Sequence, residues 1–161
     1  MNMFVLDYDI KKCARYHCDK HVVKMILESA QMLSAAVRLN GVNQGYAITH
    51  KNHSCSKWAR ESISNWKWLR KLASELNREY KFRFERQTNH KSYDLIQRLV
   101  VPNVKDKGLT SFVLAMPDKY KNNDPIVSYR SYYLGEKTKL FKWTSSTFPT
   151  KFSHGKCHVQ K

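Results

Sequence analysis

Acidic residues are scarce in this chain. Thirteen Asp and Glu stand against 29 Lys and Arg in 161 residues, a formal charge of +16. Like charges repel in the folded state, so such an excess calls for an anionic partner. Nucleic acid is the first candidate, because each neutralised phosphate releases counterions. An acidic membrane surface is the second. Long hydrophobic runs are missing as well. None approaches the roughly 20 apolar residues of a membrane span, and "MNMFVLDYDIKK" lacks the basic n-region and apolar core of a signal peptide. The expectation is a soluble, monomeric protein with no membrane partner, residing in the cytoplasm (the host's, for a phage or viral protein). Five Gly and four Pro give little punctuation, which favours helices over many short strands. No internal repeat and no low-complexity stretch is visible.

Cysteines number four, Cys13, Cys18, Cys55 and Cys157. In a chain of this size without an export signal they are expected as reduced thiols. "CARYHCDKH" and "THKNHSC" bring zinc-binding residue types together, but no paired CxxC or HExxH spacing occurs. No metal site and no cofactor are expected. Cys18 lacks the local motif of a nucleophile and reads as a small buried hydrophobe.

What the chain does have is helical periodicity. Hydrophobic residues make up 42%, enough for one core. Val22, Ile26, Ala30, Leu33 and Val37 recur at steps of 4, 4, 3 and 4 inside a helix expected over residues 10–39, ended by Asn40-Gly41. Ser56 suits the N-cap of a second helix over residues 56–84. Its buried stripe would be Trp66, Leu69, Ala73, Leu76 and Tyr80, with Arg60, Lys67, Lys71 and Arg78 on another face. A third helix fits residues 90–100, stopped before Pro102, and a short one residues 110–115. Asp124-Pro125 opens a last helix carrying "SYRSYYLGEKTKLFKW". The expected fold is therefore a mostly α, single-domain bundle of about three long helices. It would have short accessory helices and a short N-terminal extended segment. Residues 1–143 would form the helical DNA-binding and catalytic domain, and residues 144–161 a basic C-terminal arm.

Two constellations carry candidate chemistry. His21, Lys24, Glu28, Gln31, Ala35 and Arg38 follow one another at steps of 3, 4, 3, 4 and 3, so they share one helix face beside the apolar stripe. A carboxylate flanked by His and Lys suits general-base or electrostatic work; a solvated face of ordinary ion pairs is the plainer reading. "YRSYYLGEKTKLFKW" interleaves Tyr129, Tyr132, Tyr133, Phe141 and Trp143 with Arg130, Lys137, Lys139 and Lys142. Aromatics can stack on exposed bases while Lys and Arg hold phosphates. Tyr129, Tyr133 and Phe141 can equally be core, so one side of this run is expected to pack and the other to face the ligand. His50, Lys51 and His53, in the loop over residues 41–55, are further candidates for phosphate contact.

The two segments together resemble the pyrimidine-dimer DNA glycosylase family of the phage endonuclease V type. Asp19-Lys20-His21 followed by Glu28, seven positions after the His, is similar to that family's Asp-x-His and catalytic Glu on the first long helix. "YRSYYLG" is similar to its Tyr-x-Tyr-Tyr-Gly run, with one extra residue before Gly135, and "WKWLRKLASELNREY" looks like its long middle helix. Where members carry arginines, this chain has Met3, Leu27 and Gln31. The resemblance implies an N-terminal α-amine as nucleophile, on Asn2 after Met removal or on Met1 itself, with Glu28 as its carboxylate partner and His21 beside it. An α-amine, with a reference pKa near 8, is a better neutral nucleophile than a lysine. It would attack C1′ of a deoxyribose, release the base and leave an imine to the sugar. Lys20, Lys24, Gln31, His50, Lys51, His53, Tyr129, Arg130, Tyr132, Tyr133 and Lys137 are then the expected DNA contacts. The expectation is a DNA glycosylase with AP lyase activity acting on a damaged or modified base reached by flipping. The alternatives are a non-enzymatic nucleic-acid-binding protein of phage or viral type, and another base-processing enzyme on the same scaffold.

Overall fold

Two 21-residue helices, α2 (Asp19–Leu39) and α4 (Ile63–Arg83), form the frame of the computed structural model, which describes residues 1–145. They pack along their apolar stripes. Val22, Ile26, Ala30, Leu33 and Val37 of α2 and Trp66, Leu69, Ala73 and Leu76 of α4 are all fully buried. Trp66 ties the pair by donating its indole N–H to the Leu33 carbonyl at 3.2 Å, satisfying the one polar atom it carries into the core. Around them lie α1 (Ile10–Tyr16), α3 (Ser54–Glu61), α5 (Lys91–Arg98) and α6 (Pro125–Glu136), with 3₁₀ turns at Asp118–Tyr120 and Thr138–Leu140. The described residues contain six α-helices and no strand, and share one core.

The helix expected over residues 10–39 is broken at His17 and Cys18, both in extended backbone. Tertiary bonds compete with helical ones there. The Cys18 N–H donates to the Tyr133 hydroxyl at 3.0 Å. Arg83, fully buried, caps the end of α1 by donating to the carbonyls of Arg15 at 2.8 Å and His17 at 2.7 Å. The helix expected over residues 56–84 is likewise two. Ser62 is extended, and its hydroxyl sits 2.7 Å from the Gly108 carbonyl while accepting the Lys107 N–H at 2.9 Å. The cap of α3 is His53, not Ser56: its Nδ1 accepts the Cys55 N–H at 3.1 Å.

Residues 110–115 do not form a helix. Their backbone groups bond to side chains of other elements instead: Thr110 N–H to Asn65, Ser111 C=O to the Trp58 indole, Val113 C=O to the Tyr129 hydroxyl and Ala115 C=O to the Asn2 amide. Helix α6 starts as expected, with Asp124 accepting from Ile126 and Val127. It stops at Glu136, short of the run's end. The chain then turns so that Phe141 packs on Tyr133 at 5.6 Å and Lys142 accepts the Asp19 N–H at 2.8 Å. Of the arm expected over residues 144–161, only the first two residues lie within the described part, and Thr144 donates to the Asp19 carboxylate from both its N–H and its hydroxyl. Residues 146–161, with Cys157, lie outside it.

Candidate active site

Glu28 stands on α2 at the edge of the buried stripe, 7% exposed. Burial of a carboxylate needs partners, and Glu28 has three. The backbone N–H of Asn2 donates to Oε2 at 2.8 Å. The α-amine of Met1 lies 3.7 Å from Oε1, and so does Nζ of Lys24, one turn back. The sequence places these groups through Asn2. Its side-chain amide donates to the Ala115 carbonyl at 2.9 Å, and its Oδ1 accepts the N–H groups of Met3 at 2.7 Å and Phe4 at 3.3 Å. This local turn carries Phe4 at φ +38°, a region an aromatic L residue rarely enters. Met3, Phe4, Val5 and Leu6 are buried, and packing holds the turn.

His53 is the next element of the site. Because its Nδ1 accepts a hydrogen bond, the neutral ring carries its proton on Nε2. Its pKa is lowered by burial first, then by the N-terminal ammonium and His50, while Glu28 acts in the opposite sense. His53 therefore senses both the amine and the carboxylate. Cys55 feels the same two charges, but burial pushes its thiol up to about 12, so it is a neutral thiol and no nucleophile.

His21 lies two turns from Glu28 on the same helix, roughly 10 Å along the axis. Its ring stacks on Phe4 at 4.5 Å and its Nδ1 meets the Tyr133 hydroxyl at 2.8 Å. Burial lowers its pKa to about 3, with His17, Lys137 and Lys24 acting in the same direction, so the imidazole is neutral at pH 7. Phe4 also stacks with Tyr132 at 6.0 Å, and Lys137 lies 4.9 Å from the centre of the Tyr132 ring. The N-terminal segment, α2 and α6 thus meet in one aromatic cluster.

The expected DNA contacts divide. Lys20, Lys24, His50 and Lys51 are exposed, and Gln31, His53, Tyr132 and Lys137 are half-buried. Tyr129 and Tyr133, expected near the ligand, are fully buried core residues. Their hydroxyls are held by Val113 and by the Cys18 and His21 cluster. Arg130 donates to the Leu6 carbonyl and pairs with Asp7, both at 2.8 Å, so its head anchors the N-terminal segment and is not a free phosphate ligand. Phe4 and Ala115 shape the site without having been singled out in the sequence. A single aromatic in "MNMFVLD" and one loop carbonyl carry no local signal. Among the described residues no three His, Cys, Asp or Glu side chains gather to hold a metal ion. No described helix is long and apolar enough to cross a membrane.

A buried carboxylate touching an α-amine, with a neutral imidazole close by, can hold and move a proton at that nitrogen. The family model described as pyrimidine dimer DNA glycosylase matches residues 1–92, which include the N-terminus, Glu28 and His53. Neither the curated proteins nor the solved structures compared with the chain gave a match.

Proposed function

The chain belongs to the pyrimidine dimer DNA glycosylase family, and from that premise we propose that it excises a damaged or modified base through an imine formed at its N-terminal amine, then cleaves the abasic strand. DNA as substrate follows from the family. The single observation that carries the finer reading is the meeting of the Met1 amine and Asn2 N–H with Glu28, at 3.7 and 2.8 Å.

In this reading the unprotonated amine attacks C1′ as the C1′–N bond breaks. The bonding pair leaves with the base, which takes a proton. The amine gives up its two protons, one to Glu28 and one to O4′ as the C1′–O4′ bond breaks and its pair goes to O4′, giving a C1′=N imine on the opened sugar. Removal of a C2′ proton then expels the 3′ phosphate by β-elimination. Glu28 holds the ammonium before reaction, stabilises positive charge on the sugar and relays these protons. Lys24 presents a cation beside the same carboxylate and lies where a phosphate would approach. In the chain as it stands the amine is that of Met1. Removal of Met1 would instead place the Asn2 amine at the oxygen it already contacts.

The test is borohydride reduction in the presence of abasic duplex DNA. An imine enzyme becomes covalently linked, and Glu28→Gln should leave DNA bound but unreacted. A chain that binds abasic DNA, never cleaves it and never forms an adduct is a binder alone.

A further inference from the structure

Five side chains share the outer face of α2 around Glu28. At about 100° per residue, Lys20, Val23, Lys24, Leu27 and Gln31 fall in one sector with Glu28 at its edge. Lys20, Val23, Lys24 and Leu27 are exposed, and Gln31 is half-buried. Two of the exposed residues are large and apolar: Val23 is 37% and Leu27 39% exposed, one turn apart. Neither is needed by the core, which α2 closes with its opposite stripe. Val23 stands between Lys20 and Lys24 along the helix, and Leu27 lies one turn beyond Val23, with Lys24 before it and Gln31 after it.

That setting selects the occupant. Two apolar side chains are far too little for a protein interface, which needs on the order of 1,000 Å². The two exposed lysines on the same face favour a polyanion. DNA offers an apolar surface only inside its base stack, and proteins that bend it reach that surface by inserting apolar side chains between base steps. A nucleotide brought to Glu28 must leave the stack, which costs a few kcal/mol and opens a gap beside the helix.

We propose that Leu27, supported by Val23, is an apolar wedge that enters the base stack of duplex DNA next to the nucleotide presented to Glu28. This rests on α2 being the DNA-facing helix, as in the function proposed above. The wedge holds the opened duplex while Lys20 and Lys24, on the same face, hold phosphates beside it.

The experiment uses a duplex with a tetrahydrofuran abasic analogue, which cannot form an imine, and 2-aminopurine as the adjacent base. Binding of the full chain should raise 2-aminopurine fluorescence severalfold as that base unstacks. Leu27→Ala should cut the rise at saturation to less than half and weaken binding about tenfold, the scale of a lost apolar contact. Leu27→Lys, harmless at an exposed position, should bind at least as tightly through its charge and still lose the rise. An undiminished rise with Leu27→Lys overturns the proposal, as does a parent protein that binds this duplex without any rise or fails to bind it. Because the analogue is inert, the result is independent of the chemistry. A protein that unstacks this duplex but forms no borohydride adduct on a natural abasic site refutes the imine mechanism and leaves the wedge standing. Adduct formation without unstacking refutes the wedge alone.

Discussion

Asn2 and Glu28 meet at 2.8 Å, backbone N–H to carboxylate oxygen, across 26 positions of sequence. The contact sets the first nitrogens of the chain against the carboxylate buried at the edge of the apolar stripe of α2. Glu28→Gln keeps the shape and removes the charge. It should preserve DNA binding, or tighten it slightly, and lower turnover on abasic or damaged DNA by about 10² or more. Single-turnover cleavage beside a binding isotherm measures both. Normal turnover would make Glu28 a structural partner of the N-terminus and nothing more.

Lys20 and Lys24 are exposed on the helix that carries Glu28. Replacing either by Ala should weaken binding across all DNA sequences and reduce the slope of log affinity against log salt by about 1. Titrations between about 50 and 200 mM salt, the range in which phosphate contacts are screened, would show it. An unchanged slope for both variants places the DNA on another face.

Much of this site was legible before the fold was known, and the illegible parts share a cause. The step of seven from His21 to Glu28 and the apolar stripe beside it are local properties of one helix, so periodicity reveals them. Asp124-Pro125 announces α6 for the same reason. The breaks at His17-Cys18 and at Ser62 are invisible because their partners, Arg83, Tyr133 and residues 106–108, come from distant segments. The same holds for residues 110–115, whose apolar pattern suits a helix until Asn65, Trp58, Tyr129 and Asn2 take up the backbone groups. Within α6, composition does not say which face packs. Tyr129 and Tyr133 turn inward, four apart, and Tyr132 is left at the edge with Lys137.

Tyr132→Ala and Lys137→Ala should therefore differ from Tyr133→Ala. The first two should weaken DNA binding with a thermal midpoint near the parent's. The third removes a buried ring and should cost about 3–5 kcal/mol. Melting curves beside binding curves separate them. Loss of stability from Tyr132→Ala comparable to that from Tyr133→Ala would make Tyr132 core as well.

Arg83 is fully buried, pairs with Glu79 at 2.9 Å and Asp19 at 3.3 Å, and caps α1 through two carbonyls. Arg83→Met would leave those acceptors without their cation. It should destabilise the chain by about 3–5 kcal/mol, since breaking a buried pair strands a charge. Denaturant unfolding gives the value, and a change under about 1 kcal/mol would contradict this role, that being the range of exposed pairs.

Stability should also fall in acid. Burial lowers His17 to about 4 and His21 to about 3. The unfolded chain, with imidazoles near 6.5, binds more protons than the folded one below that pH. Stability from the two neutral rings is thus full above about 6.5 and is lost progressively as pH falls through 5 towards the folded values. Each is worth on the order of 3 kcal/mol by then, at about 1.4 kcal/mol per unit. His17 donates from Nδ1 to the Cys13 carbonyl at 2.7 Å, a bond the amide of Asn can imitate. His17→Asn should flatten the loss between about pH 6.5 and 4 in thermal melts, and a slope equal to the parent's would remove His17 from the account.

In the proposed mechanism the amine beside Glu28 becomes bonded to the sugar. The most direct measurement is borohydride trapping on abasic duplex DNA, followed by proteolysis and mass spectrometry of the cross-linked peptide. The expected adduct is on the first residue of the mature chain, Met1 or Asn2, and is lost after the α-amine is blocked by acetylation. An adduct on the ε-amine of Lys24 or of any other lysine, or one that survives acetylation of the N-terminus, would contradict it.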